Sequence, residues 1–298
     1  MNSGNVPTHL LVAARSGFLT SLKMPEMPWT RIANTINMDA KSIDLVDLGG
    51  APMPTQSKGG GVAQDFVEKT LTIKPLDWEI ITWISYNAVM DDQTGTLENR
   101  VRSAGTNFQK HLNNRVFQTL NGGDGSTYGL CYDGQYFFDT DHADKGAHYS
   151  TAQSNANTSA LSLDTFTTVN VAAQLYVDDQ GEYVNYSPNL LVVPPALEYT
   201  AAQICNNPTA YDTANREANP FSGRFNYIVS PQLDTTAWFL VDEAEPTKPL
   251  IVAMREQPNL QNSWFDPGAA DGGRYYFKFY ARYNVFYGDW RLATQGNT

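Results

Sequence analysis

DDQTGTLENRVRSAGTNFQKHLNNRVFQTLNGG, residues 91–123, carries apolar side chains at Leu97, Val101, Ala104, Phe108, Leu112, Val116 and Leu120. Steps of three and four put them on one side of an α-helix, buried on that face and wet on the other. Asp92 or Thr94 is expected to accept the unpaired N–H groups at its start, and Gly122 with Gly123 to supply the left-handed backbone that ends it. About 25 residues at a rise of 1.5 Å make roughly 38 Å, far beyond the usual three turns. The polar face, with Glu98, Arg102, Gln109, Lys110, Asn113 and Asn114, lacks the spaced carboxylates and histidines that bind metals inside helical bundles. The stretch reads as a mechanical strut.

Upstream, Trp78–Ala88 is rich in β-branched and aromatic residues, with Trp78, Ile80, Ile84 and Tyr86 on one face of an alternating strand that feeds the helix. Before it, two extended runs, from Ile43 and over Phe66–Lys74, flank Gly49-Gly50, Pro52, Pro54 and Gly59-Gly60-Gly61, the pattern of a long hairpin with a glycine-rich tip. KGGG is not a phosphate loop, because no GK[ST] follows and no strand-loop-helix frame surrounds it. Residues 1–42 read as an arm laid across something, with one or two helical turns over Trp29–Ile36.

Downstream, LCYDGQYFFDTDHADKGAHYS crowds Asp133, Asp139, Asp141, His142, Asp144 and His148 together, the best enzymatic candidate in the chain. A calcium loop fails on its own spacing: Ala143 falls on a ligand position, Asp144 on the glycine turn and Ser150 on the bidentate Glu. Zinc is no better served, since His142 and His148 are neither HExxH nor a helix-face pair. An aromatic strand followed by an Asx-rich turn is the plainer reading. Further on, Asp164 is expected to cap a helix facing Phe166, Val169, Ala173 and Tyr176 inward. Leu190–Val193 reads as a short buried strand, and Pro195 as the first turn of a helix facing Leu197, Ala201 and Ile204 inward. Pro194 and Pro195 remove N–H donors that an anion site at that helix start would need. Extended runs follow at Phe225–Val229, Ala237–Val241 and Leu250–Met254. The last pattern, RYYFKFYARYNVFYGDWRLA, alternates with Tyr275, Phe277, Phe279, Ala281, Tyr283, Val285 and Tyr287 on one face, roughly 43 Å of strand at about 3.3 Å per residue.

The 298 residues, 42% of them hydrophobic, suffice for one large domain or two ordinary ones. Charged residues make up only 17% while aromatics reach 12%, a balance suited to burying surface against partners and also met in secreted carbohydrate-binding or hydrolytic proteins. With 20 basic against 31 acidic residues the net charge is −11, which excludes a tight grip on nucleic-acid phosphates. Cys131 and Cys205 have no metal-binding spacing and are too few for a disulfide scaffold. There is neither a signal-peptide pattern nor an apolar run of membrane-span length, so the expectation is a soluble protein that is not exported and meets no membrane.

Four stretches resemble the major head subunit family of Mu-like phages, within the HK97-like capsid fold. WISYNAVMDD (83–92), leading to LNGG at Leu120, is similar to that family's strand, spine helix and following turn. CYDGQYFFDTDH (131–142) resembles a signature of the Mu-type branch. SPNLLVVPPALE (187–198) and NPFSGRFNYIVSPQLDTTAWFLVDEAEPTKPLI (219–251) resemble the axial domain. The resemblance implies an α+β fold divided into an N-terminal arm (1–42), an extended hairpin loop (43–77), a peripheral domain with the spine helix (78–160 and 273–298) and an axial domain (161–272). It implies a non-enzymatic major capsid protein of the virion, assembled in the host cytoplasm, without cofactors. Its chief partner would be itself, as pentamers and hexamers of an icosahedral shell, joined by portal and scaffold or decoration proteins and touching packaged double-stranded DNA only loosely. Met53, Lys58, Gly59, Gly60 and Gly61 of the hairpin are the expected inter-subunit contacts. The competing expectations are a metal-assisted hydrolase using Asp139, Asp141, His142 and Asp144, and a tail-tube protein.

Overall fold

The computed structural model describes residues 12, 16–18, 27–48, 68–91, 96–142, 151–178, 181–209, 218–244, 246–269 and 272–297. The hairpin tip with Met53, Lys58, Gly59, Gly60 and Gly61, most of the arm, and Asp92, Thr94, Asp144 and His148 lie outside the described residues. Strands β1 (Ala33–Asn37), β2 (Ile43–Leu48), β3 (Glu68–Ile73) and β4 (Leu76–Ser85) precede helices α1 (Tyr86–Asp91) and α2 (Thr96–Asn121). There follow β5 (Ala156–Asn157), α3 (Leu163–Gln174), β6 (Leu190–Val193), α4 (Glu198–Asn206), β7 (Asn226–Val229), β8 (Trp238–Val241), β9 (Leu250–Asp266), β10 (Arg274–Tyr287) and β11 (Ala293–Gly296).

The strut forms as its spacing requires: α2 runs 26 residues and buries Ala104, Phe108, Leu112, Val116 and Leu120. It packs across β10, β9 and β4 of a four-stranded sheet ordered β1-β9-β10-β4. The alternation of the last strand is realised without a break, with Tyr275, Phe277, Phe279, Ala281, Tyr283, Val285 and Tyr287 all buried beneath the helix layer. The helix end differs from expectation. Neither Gly122 nor Gly123 is among the glycines with positive φ. They are needed for space: a Cβ on Gly122 would lie 2.6 Å from the Tyr128 ring, and one on Gly123 would lie 2.6 Å from the Phe138 ring. At the helix end Gln118 O and Leu120 O accept from Gly122 N and Gly123 N, while the Tyr287 hydroxyl donates to Thr119 O at 3.0 Å and, just past the helix, to Gly122 O at 3.2 Å.

The second sheet is ordered β5-β11-β8-β6-β7. Strands β6 and β8 are buried at every position, as continuous apolar runs covered on both faces must be. One face, with Leu191, Val193, Trp238 and Leu240, packs against α3 and α4 through Phe166, Val169, Ala201 and Ile204. The other face, with Leu190, Val192, Phe239 and Val241, joins the core under α2, so one apolar interior runs from sheet to sheet. Ser162, not Asp164, caps α3: its side chain accepts from Thr165 N while the Thr165 hydroxyl accepts from Ser162 N, a complete capping box.

Three further segments depart from the sequence reading. Only Pro28–Arg31 makes a helical turn, of 3-10 type, and the β-branched residues after it form β1, parallel to β9. Tyr86 leaves the β4 alternation and opens α1, half-exposed. The strand expected to stop at Met254 continues to Asp266, paired along β10 with three register shifts, and Pro258 falls within the shifted stretch where its missing N–H costs no ladder bond. Two segments also cross the expected partition: β9, from the 161–272 stretch, belongs to the four-stranded sheet with β10, and β11, from 273–298, inserts between β5 and β8 of the other sheet. Strands β2 and β3 pair antiparallel from Ile43↔Ile73 to Leu48↔Glu68, the stem of the expected hairpin.

Candidate functional site

The acidic and imidazole groups between Asp133 and His142 do not converge on one point. Residues 131–142 run as turns, not as an aromatic strand, because Gly134 takes φ 83° and two aspartates fold back on the backbone. Asp133 Oδ1 accepts from Gln135 N at 3.1 Å and Asp139 Oδ1 from Thr140 N at 2.6 Å. Among the described residues Asp141 contributes its backbone carbonyl, which accepts from Gln135 Nε2 at 3.1 Å. Among the described residues of the expected cluster, Asp133 and His142 meet, Oδ2 to Nδ1 at 2.6 Å, with both side chains almost fully buried. Nε2 of the same ring lies 3.1 Å from Asn155 Oδ1, and the ring stacks on Trp290 at 4.1 Å with 5° between planes. Neither nitrogen is left to ligate or to move a proton for a substrate, and among the described residues no group of three such side chains could hold a metal ion.

The centre of this knot is Asn155, which is 0% exposed. Its amide nitrogen donates to the carbonyls of Phe137 at 2.8 Å, Trp290 at 3.1 Å and Ala293 at 3.1 Å, while its oxygen also accepts from Asp139 N at 3.0 Å. Trp290 lies on the link from β10 to β11 and Ala293 opens β11, so Asn155 sets how the chain passes from one sheet to the other. Next to it Asp289 accepts from Arg291 Nε at 2.9 Å and from the Tyr186 hydroxyl at 3.1 Å. A second tie joins the N-terminal segment to the end of β8: Arg31 grips Glu243 through Nε at 2.6 Å and its terminal nitrogen at 2.7 Å. The Arg31 hydrogen bond holds the Glu243 carboxyl below its ordinary value. Asn155 sits in a polar run of Ser, Thr, Asn and Ala that carries no local signal of its role, and Arg31 is 212 residues from Glu243.

The remaining candidate surface is the face of the four-stranded sheet turned away from α2. One end is covered by the β2–β3 stem, where Ile43, Leu71 and Ile73 pack on Ile251, Ala253 and Phe286. Over the rest, Ile81 and Trp83 stand 50% and 42% exposed. Arg274 lies 3.8 Å above the Trp83 ring, Trp264 stacks on Tyr276 at 5.0 Å, and cross-strand pairs Lys278–Glu79 and Arg282–Asp77 each close at 2.6 Å. Such a face is flat, aromatic and internally charge-paired, a composition suited to contact with protein and unsuited to phosphate.

Solved structures that resemble this fold include phage capsids. The chain matches the procapsid subunit of bacteriophage JBD30 with a TM-score of 0.57 at 21% identity, over 98% of this chain and 74% of that one. It matches the capsid of a native GTA particle with a TM-score of 0.55 at 14% identity, over 90% and 88%. The cyanophage P-SCSP1u capsid gives a TM-score of 0.60 at 11% identity, over 92% and 89%. The shared architecture is the HK97-like capsid fold. No curated protein sequence matches the chain. The sequence model of the family described as phage capsid protein, however, matches residues 68–293, from β3 to the first residue of β11. With that match spanning well over half of its length, the chain belongs to the phage capsid protein family.

Proposed function

We propose that this major capsid protein builds a closed icosahedral shell from rings of five and six copies, in the host cytoplasm, around double-stranded DNA that it touches only loosely. The family match over residues 68–293 carries the reading. The acidic balance of −11 agrees with an inner wall to which DNA does not stick. The protein works without catalysis: shell formation sums many weak, repeated contacts, and the charge-paired sheet face around Trp83 is one surface suited to them. The hairpin borne on the β2–β3 stem, with Met53, Lys58, Gly59, Gly60 and Gly61 at its tip, lies over a neighbouring copy, and residues 1–42 tie further neighbours. The resemblance of CYDGQYFFDTDH and its companion stretches supports reading the subunit as one of the Mu-like branch. Portal and scaffold proteins complete the assembly. A decoration protein joins them by analogy with the JBD30 capsid, which is decorated with minor capsid protein trimers.

Negative-stain electron microscopy of concentrated protein beside a sizing column tests this. Closed shells or rings of five and six are expected. A compact monomer that never assembles, even with lysate of its source, would overturn the reading, and open tubes would move it to a tail-tube role. Deleting residues 50–62 is expected to leave a folded subunit that assembles poorly; normal shells from that variant would refute the role of the hairpin.

A further inference from the structure

Between α2 and the four-stranded sheet lies a cavity of about 190 Å³. Its floor is apolar and largely aromatic: Phe108 and Leu112 of α2, Trp29 of the 3-10 turn, Met254 of β9 and Tyr283 of β10, each at most 9% exposed. The cavity sits where β9 slips twice in register against Tyr280–Tyr283, so the strand and the helix do not close on each other. At the rim are Thr35 and Gln257, whose side chains make no hydrogen bond among the described residues. An apolar cavity of about 150 Å³ is known to stay dry and to take up a benzene ring. The space here is of similar size but opens to solvent at its rim, which offers a hydroxyl and an amide.

We infer that this cavity is a binding site for a small single-ring aromatic molecule carrying one hydrogen-bonding group, phenolic in chemical class. The ring occupies the floor among Trp29, Phe108 and Tyr283, where aromatic edges and faces are complementary. The hydroxyl turns to Thr35 and Gln257 at the rim. The inference concerns the free subunit and does not depend on shell formation.

The test is a titration of the purified full chain with 4-fluorophenol, followed by the ligand's fluorine NMR signal. A saturable shift with a dissociation constant of about 1 mM is expected for so small a ligand. Leu112→Phe fills the floor and is expected to weaken binding about tenfold. Gln257→Leu, at the exposed rim and harmless to folding, is expected to weaken 4-fluorophenol about fivefold while leaving fluorobenzene unchanged. A linear, unsaturable shift, or equal affinity in all three proteins, would overturn the inference. So would equal losses for both ligands in Gln257→Leu.

Discussion

Replacing Asn155 by alanine removes the side chain that hydrogen-bonds the Asp133–His142 turn to Trp290 and Ala293. Five contacts go at once: three carbonyls lose their donor, and Asp139 N and His142 Nε2 lose their acceptor. The site is fully buried, so these groups do not regain water by small movements. At about 1 kcal/mol for each bond, with one of the three carbonyls sharing a proton and counted lightly, the loss is about 4 kcal/mol. For a chain of this size that lowers the melting temperature by about 8 °C. Asn155→Asp is the sharper variant: it keeps the shape and the acceptor oxygen but replaces the donating amide with a second oxygen, setting a carboxylate against the Phe137, Trp290 and Ala293 carbonyls, and is expected to cost at least as much at neutral pH. Thermal unfolding followed by calorimetry and by tryptophan fluorescence, which senses Trp290 stacked on His142, reads both. A loss of less than about 2 °C for the alanine variant would show that the amide is not what holds the two sheets in register.

Gly296→Ala is expected to destabilise by about 3 kcal/mol in urea titration. The new Cβ would stand 2.1 Å from Trp238 Cε2, and that buried ring moves only by giving up its bond to Ser159 O. His111, wedged against Trp78 and bonded through Nδ1 to the Tyr283 hydroxyl, has its pKa lowered by burial and by Arg115. A depressed folded value means that the unfolded chain binds the proton first, so stability is full above about 6.5 and falls as pH drops below it. His111→Gln is expected to flatten that acid limb in unfolding measured from pH 7 downward; an unchanged slope would exclude His111 as its source. Both thiols are free and buried, Cys205 pushed up to about 12 by burial and Cys131 raised by burial and by Asp133, so Ellman's reagent is expected to modify neither until urea unfolds the chain. Prompt reaction of the native protein would contradict the placement of both.

What the sequence by itself determined are the elements whose burial repeats along the chain. The three-and-four spacing from Ala104 to Leu120, the unbroken alternation from Tyr275 to Tyr287 and the solid apolar run Leu190–Val193 each became the helix or strand their period demands. A face packed on a core leaves a period in the sequence, and that period needs no partner to be read. Tertiary structure alone decided the rest. The polar second half of β9 is a strand only because β10 offers it a ladder, and Gly122 and Gly123 serve Tyr128 and Phe138 rather than a left-handed turn. Among the described residues that look like a reactive centre, Asp139 is turned onto its own backbone, Asp133 pairs with His142, and His142 is also claimed by Asn155, whose other partners Trp290 and Ala293 lie 135 and 138 residues away. Hydrogen bonds between such distant positions impose no spacing on either stretch, so they come into being only when the two sheets are brought together.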